Sequence, residues 1–289
     1  MFGPNKILKY DINIHYSHRD VYFTNVVKKL KDLFIDKFNL EKYDVFFVPG
    51  SGSTGVESVL FSIASKINVI GNNGTFKDRW INLSSHYNKH KKTDKYVDLY
   101  AQLETSNSSI FNKPNCIVDA VSAFPYYEVP KDTNILITST NKILSAMPGC
   151  AIVLIKKDYH DKLIDEEIIS TLNLRRYNIF MKKNQTPTTP PTQIFEQLYS
   201  VLQEYDVSNI RKRINNNSDE IVNVIGEKNI IGERRCPVIT FKKDLIPLKI
   251  AEEFQLYHIN TDDDTYQIFT YSEKNELYKE FAKKLSKNK

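Results

Sequence analysis

The sequence is poor in the features that mark disulfide-rich, zinc-binding and membrane proteins. Its 289 residues include three cysteines, Cys116, Cys150 and Cys236, which lie far apart along the chain. Their spacing suggests neither a disulfide framework nor a zinc-ligand pattern. No apolar run approaches the roughly 20 residues of a membrane span, and the first residues lack the apolar core of a signal peptide. These absences predict a cytoplasmic protein that contacts no membrane.

Concentrated charge is also lacking. The formal net charge is +5, and lysine is spread throughout the chain. The short basic cluster KHKK at residues 89–92 is typical of a solvated turn, so we expect no nucleic-acid partner. His86 and His90 have a helical spacing without a nearby acidic or cysteine ligand. We therefore expect no metal site there.

What the chain does contain is a series of short apolar runs separated by helical patterns. Residues 45–48, 135–140 and 150–157 have the length and composition of strands, and residues 20–37 have helical periodicity. This alternation predicts an α/β protein with a mostly parallel central sheet. The proline-rich run TPTTPP precedes a region that resembles a smaller α+β unit. We expect a large domain over 17–195 and a small one over 196–289, with residues 1–16 packing on the latter.

Polar residues gather where the predicted strands end. In parallel sheets, ligands bind beyond the carboxyl ends of the strands. The residues at these ends are Ser51, Gly52, Ser53, Asn73, Gly74, Phe76, Thr105, Ser106, Asp119, Asn141 and Lys142.

Three of these positions suggest how a flat, anionic ligand could be held. The turn GSGSTG runs into a helix start, where backbone N–H groups and the helix dipole attract an anion, although a plain flexible turn has the same composition. Asp119 ends an apolar strand, where a carboxylate needs a partner. It could hold a proton on a ring nitrogen or cap a turn. Phe76 could offer a face to a flat ligand or simply pack in the core.

Lys142 follows the apolar run ILITST. A solvated loop lysine is the plain interpretation. A lysine desolvated at the mouth of a strand, however, can attack a carbonyl as the free amine. A phosphate cradle, a carboxylate for a ring nitrogen, an aromatic platform and a reactive lysine together meet the needs of pyridoxal phosphate.

Five segments, in this order along the chain, resemble motifs of the class V aminotransferases, and most closely those of the 2-aminoethylphosphonate:pyruvate transaminases. The segments are VPGSGSTGVES, NNGTFKDR, IVDAVSAF, TSTNKILSAMPG and NQTPTTPPTQIF. SHRD at residues 17–20 also has a counterpart, and the likeness fades after Phe195. The resemblance implies the PLP-dependent transferase fold of type I, with helices on both faces of the sheet and a small α+β domain.

The resemblance also implies an activity and residue roles. The activity is transfer of an amino group between a small amine or amino acid and a keto acid, by a ping-pong mechanism with a Schiff base on Lys142. Asp119 would pair with the pyridinium nitrogen, Phe76 would stack on the ring and Thr105 would lie near the ring hydroxyl. The phosphate would be held by Ser51, Gly52, Ser53, Asn141 and, from the other subunit of a homodimer, Thr189.

Two departures from the family leave the substrate open. The segments after Trp80 and Thr105 are short, and Gln267 stands where relatives carry an arginine for the substrate carboxylate. Glutamine cannot replace that charged, bidentate contact. Arg235 or Arg175 could bind an anion instead, although an exposed salt bridge is the plainer role for either. A PLP-dependent lyase or decarboxylase, and a non-catalytic binding module, are the alternatives to an aminotransferase.

Overall fold

The computed structural model describes residues 17–165 and 167–288; the expectation for residues 1–16 lies outside them. The first part of the chain alternates helices and strands. These are α1 (Val21–Phe38), β1 (Tyr43–Pro49), α2 (Gly52–Ser62), β2 (Lys66–Val69), α3 (Thr75–Asn88), β3 (Tyr96–Ala101), β4 (Leu103–Glu104), β5 (Ser109–Ile110), β6 (Ile117–Asp119), β7 (Ile135–Ser139), β8 (Cys150–Lys156), α4 (Leu174–Met181) and α5 (Thr192–Gln203).

The rest of the chain forms a smaller unit. Its elements are α6 (Val207–Ile225), β9 (Ile230–Ile231), β10 (Val238–Lys242), α7 (Leu248–Glu253), β11 (Thr265–Phe269) and α8 (Asn275–Ser286). Its three strands form an antiparallel sheet in the order β11-β10-β9. The expected division at residue 195 falls within α5, whose Phe195 ring contacts the rings of Phe23 and Phe47 in the larger unit.

The central sheet has six strands in the order β1-β8-β7-β6-β3-β2. Strand β8 is antiparallel to both neighbours, and the other pairings are parallel. The prediction of a mostly parallel sheet is therefore confirmed. Five of these strands end at the same edge, so the residues that follow them are brought together there.

Helices cover both faces of this sheet, as expected. On one face, α2 approaches so closely that a Cβ on Gly55 would lie 2.8 Å from side chains of Ala151 and Ile137. On the other face, Phe47 of β1 meets Phe195 of α5 with ring centroids 5.3 Å apart. Buried on both faces, the strands are continuous apolar runs. Among the described residues, no helix is long and apolar enough to cross a membrane.

A short hairpin joins the two units beside the carboxyl edge of the sheet. Strands β4 and β5 form it, and its turn places the buried Ser108 hydroxyl 2.7 Å from that of Thr240 in β10. The backbone N–H of Glu233 donates to the Ser108 carbonyl at 2.8 Å. The buried Gln267 side chain of β11 donates to the Thr105 carbonyl at 2.6 Å. We call this contact the hairpin seam.

Candidate active site

A cavity of about 190 Å³ opens at the carboxyl edge of the central sheet. It brings together all the predicted cofactor residues except Thr189. The lining residues are Ser51, Gly52, Ser53, Phe76, Arg79, Leu103, Thr105, Asp119, Val121, Ser122, Ser139, Asn141 and Lys142. Turns that follow β1, β6 and β7 supply most of them, so the parallel arrangement of these strands creates the site.

Lys142 lies in the turn after β7 and is half-buried. Burial lowers the pKa of its amine, and the nearby Asp119 carboxylate acts in the opposite direction. Its Nζ lies 5.2 Å from the centroid of the Phe269 ring, which comes from the smaller unit. A residue after α5 holds this turn in place: the Tyr205 hydroxyl donates to the Ile143 carbonyl at 2.9 Å. The structure therefore presents a partly desolvated amine on a fixed turn.

Asp119 is the last residue of β6 and is 6% exposed. One carboxylate oxygen, Oδ2, accepts from Trp80 Nε1 at 2.9 Å, and Oδ1 accepts from the Val121 backbone N–H at 3.1 Å. Burial raises the pKa of Asp119 to about 6, with a smaller rise from Glu104; the two hydrogen bonds and Lys142 act against it. The partner that this carboxylate needs is thus an indole N–H, and its bond to the Val121 N–H also caps the turn after β6, as the alternative interpretation expected.

The Gly/Ser turn begins α2 and is closed by a reciprocal cap. Ser51 Oγ accepts from the Thr54 backbone N–H at 3.3 Å, and Thr54 Oγ1 accepts from the Ser51 N–H at 3.1 Å. A Cβ on Gly52 would lie 2.5 Å from Val121, so only glycine fits between this turn and the strand that carries Asp119. Ser51, Gly52 and Ser53 line the cavity, so the N-terminal end of α2 borders it, and a helix N-terminus favours an anion.

Helix α3 contributes three side chains to the site from one face. Phe76, Arg79 and Trp80 are spaced i, i+3 and i+4, so they project in the same direction. Phe76 is half-buried at the cavity wall, and Arg79 donates to Ser53 Oγ at 3.2 Å. The segment NNGTFKDRW predicted Phe76, but Arg79 and Trp80 were missed. Their helical spacing from Phe76 is the signal that could have revealed them.

The start of α3 is held by a side chain from another element. Gly74 precedes the helix and has no capping side chain. The carboxylate of Glu104, in β4, accepts instead from the backbone N–H groups of Phe76 at 3.3 Å and Lys77 at 3.0 Å. It also accepts from the Ser106 hydroxyl. This buried carboxylate fixes where Phe76 enters the cavity.

Thr105 lines the cavity and donates from its hydroxyl to Ser122 Oγ at 2.9 Å. Gln267, the candidate for the substrate contact, is 2% exposed and does not line the cavity. Its amide is engaged with the Thr105 carbonyl in the hairpin seam. Gln267 thus lies behind the wall of the site.

Three other candidate residues lie outside the cavity. Arg235 forms a bidentate pair with Asp219, with distances of 2.7 and 2.8 Å. Arg175 donates to the carbonyls of Ile164 and Leu163. Thr189 is exposed on the surface. Both arginines have structural partners, and within this single chain Thr189 is free to contact another molecule.

Comparison with solved structures places this geometry in a fold group. An aspartate aminotransferase of subgroup IV from Thermus thermophilus matches with a TM-score of 0.80 at 14% identity, over 98% of each chain. The chain has the aminotransferase fold. An alanine–glyoxylate aminotransferase from Nostoc sp. matches with a TM-score of 0.78 at 14% identity, over 99% of this chain and 94% of that one.

A third protein with the aminotransferase fold was solved with its cofactor. The PLP-bound phosphoserine aminotransferase from Trichomonas vaginalis matches with a TM-score of 0.73 at 14% identity, over 94% of this chain and 90% of that one. No protein-family model matches the sequence, and no curated protein sequence matches it significantly. The fold-type prediction is confirmed by these matches.

Proposed function

We propose that this protein is a pyridoxal-phosphate-dependent aminotransferase with Lys142 as its catalytic residue. The observation that carries the proposal is the cavity itself, where an amine with a lowered pKa, a buried carboxylate and the start of α2 lie together. These donor types match the chemistry of the cofactor: an aldehyde, a ring nitrogen and a phosphate. A lysine in a solvated loop, the plain interpretation of Lys142, would not require such surroundings.

Each residue has a task that follows from its position. When bound, pyridoxal phosphate supplies an aldehyde that reacts with amines and a ring that accepts electrons from a bond next to that nitrogen. In this proposal Lys142 supplies the neutral amine for that aldehyde and moves a proton at the carbon bearing the substrate nitrogen. Asp119 holds the proton on the ring nitrogen, and Phe76 offers its ring as a platform.

The phosphate would lie at the start of α2. Ser51, Gly52 and Ser53 line the cavity at this point, and Asn141 lies next to Lys142. Arg79 adds a guanidinium beside Ser53, where a phosphate would receive a charge-assisted contact. We further propose that Thr189 reaches this phosphate from the partner subunit of a homodimer.

The likeness to 2-aminoethylphosphonate:pyruvate transaminases favours a small amine or amino acid as donor and a keto acid as acceptor, exchanged by a ping-pong mechanism. The engagement of Gln267 in the hairpin seam keeps its amide away from any substrate. A lyase or decarboxylase with the same cofactor is the second candidate, because the described cavity wall shows no cation besides Arg79 and Lys142 for a substrate carboxylate.

The test is borohydride reduction of the purified protein mixed with pyridoxal phosphate, followed by peptide mapping. We expect a visible absorption band and a cofactor fixed on Lys142, and neither in Lys142→Ala. Lys91 is an internal control, because burial lowers its pKa to about 8 although it lies away from the cavity. A cofactor fixed on Lys91 instead, or on no lysine, would overturn the proposal.

A second measurement separates the aminotransferase from the lyase. The cofactor-loaded protein is mixed with one equivalent of amino donor and then with a keto acid. An aminotransferase converts the keto acid stoichiometrically to its amino acid. A lyase or decarboxylase converts none.

A further inference from the structure

Trp80 is the single tryptophan of the chain and is 1% exposed. Buried tryptophans pair their one N–H donor with an acceptor, which is often an ordinary carbonyl. Here the acceptor is a carboxylate oxygen of Asp119, at 2.9 Å. The indole ring lies 6.2 Å from that of Phe76, centroid to centroid, one helical turn away on α3. The side chain that contacts Asp119 is therefore large, rigid and enclosed.

The two hydrogen bonds on Asp119 define the orientation of its carboxylate. The Trp80 N–H occupies Oδ2, and the Val121 N–H occupies Oδ1. One donor comes from α3 and the other from the turn that follows β6. A carboxylate held at both oxygens from two elements cannot rotate, yet each oxygen keeps acceptor capacity for a further proton donor.

We propose that Trp80 is a positioning residue whose indole N–H holds the Asp119 carboxylate in one orientation for the cofactor ring nitrogen. This inference rests on the proposed function, because it gives Asp119 the ring nitrogen as its target. In this proposal Trp80 acts only through Asp119 and does not itself contact the cofactor. It links the face of α3 that carries Phe76 to the Asp119 carboxylate.

The hydrogen bond also affects the charge of Asp119. Burial and Glu104, from β4, raise the pKa of Asp119, whereas the Trp80 N–H, the Val121 N–H and Lys142, from the turn after β7, lower it. Arg79, on α3, is the other described charged group that lines the cavity. Removing only the indole donor leaves these charged groups in place, so the pKa of Asp119 should rise further.

The first experiment uses tryptophan emission of the cofactor-free protein between pH 4.5 and 8. Because Trp80 is the only emitter of its kind, its intensity should follow protonation of Asp119 with a midpoint at about 6. Asp119→Asn is the matched variant and should abolish the titration. Emission that does not titrate, or titrates equally in Asp119→Asn, would overturn the inference.

The second experiment compares Trp80→Phe with the unchanged protein in binding of pyridoxal phosphate across the same pH range. Phenylalanine keeps an aromatic ring but has no N–H. We expect the loss of binding at acid pH to begin at a higher pH. For a rise of about one unit in the pKa of Asp119, affinity should fall by about fivefold at pH 6 and hardly change at pH 8. Equal weakening at every pH would indicate a packing role and overturn the inference.

The two proposals fail differently. If the protein fixed no cofactor on Lys142, the proposed function would fall while the emission titration still reported the Trp80–Asp119 contact. If the cofactor were fixed but the loss of binding at acid pH began at the same pH in Trp80→Phe, only the positioning role would fall. If Trp80→Phe does not fold, the comparison with Asp119→Asn decides the inference.

Discussion

Single residues decide how charge is distributed in this site. Arg79 is exposed at the mouth of the cavity, and its guanidinium donates to Ser53 Oγ at 3.2 Å. It also lines a larger open groove of about 620 Å³ between α2 and α3. Arg79 thus borders both the cavity and the groove. Its positive charge lies beside Ser53, where it would balance the negative charge of a phosphate bound at the start of α2.

Arg79→Ala should weaken binding of pyridoxal phosphate by about tenfold or more, since a charge-assisted hydrogen bond contributes about 1.5–3 kcal/mol. Binding of pyridoxal, which lacks the phosphate, should change little. Arg79→Lys should recover part of the loss because the charge is retained but the planar guanidinium is not. The measurement is an absorbance titration of both ligands; equal losses for the two would contradict a phosphate contact.

Asp119 should reduce the stability of the cofactor-free protein at neutral and higher pH. Its folded-state pKa of about 6 lies above the ordinary 3.8, so its contribution is favourable below pH 4 and is lost as pH rises through 6. Asp119→Asn should therefore raise the free energy of unfolding at pH 8 by up to about 3 kcal/mol, and by much less at pH 4.5. Urea unfolding at both pH values measures this.

The exposed Asp32 supplies a control for that comparison. Asp32→Asn makes the same chemical change at an exposed carboxylate of α1 and is measured at the same two pH values. A gain from Asp119→Asn that is equal at pH 4.5 and pH 8 would show that the effect is not electrostatic.

At the scale of elements, α3 organises much of the site although its sequence provides no N-terminal cap. The Glu104 carboxylate replaces the cap from a neighbouring strand by accepting from two N–H groups of the first turn. This ties the entry angle of the helix to β4 and therefore to the hairpin seam. Phe76 and Trp80 are positioned together as a result.

Glu104→Ala should destabilise the protein by about 1–2 kcal/mol, because a capping acceptor and a favourable charge at a helix start are both lost. Glu104→Gln retains one acceptor and should cost less. Denaturant unfolding in the absence of cofactor measures both variants. Equal stability of Glu104→Ala and the unchanged protein would show that water satisfies these N–H groups.

Strands, turns and candidate site residues could largely be predicted from the sequence, because they depend on local pattern. The apolar runs predicted the sheet, and most of the residues after them, including Asp119 and Lys142, line one cavity. Asn73, Gly74 and Ser106 do not line it. Contacts between distant segments were not accessible. Neither the Trp80–Asp119 bond nor the Glu104 cap has a sequence signal of its own, since each depends on how α3 packs against β4 and β6. The engagement of Gln267 with Thr105, 162 residues away, is of the same kind.

At the scale of the whole molecule, the site is open on the side where Arg79 lies, and Thr189 is exposed elsewhere on the chain. We predict a homodimer in which Thr189 of each subunit reaches the other's phosphate. Thr189→Ala should weaken cofactor binding by several-fold, about one neutral hydrogen bond, without changing the stability of the fold. Sedimentation with and without cofactor measures assembly.

The matched control for that prediction is Thr188→Ala, one residue away in the same segment. It should leave cofactor binding unchanged, because its contacts lie within its own chain: its side chain bonds to Tyr177 and its carbonyl accepts from Thr186 Oγ1 at 2.7 Å. The role of Thr189 would be contradicted if the protein were monomeric and if Thr189→Ala bound the cofactor as tightly as the unchanged protein.

The hairpin seam makes the smaller unit part of the wall of the site. Buried bonds from Ser108 to Thr240 and from Gln267 to Thr105 join the units beside the cavity, and swinging the units apart would leave these groups without partners. Ligands should therefore enter through side-chain movement near Arg79 rather than by hinge opening. Small-angle X-ray scattering, at a fixed oligomeric state, should then give the same radius of gyration with and without cofactor. A smaller radius of gyration with cofactor would show that the hairpin seam opens and closes.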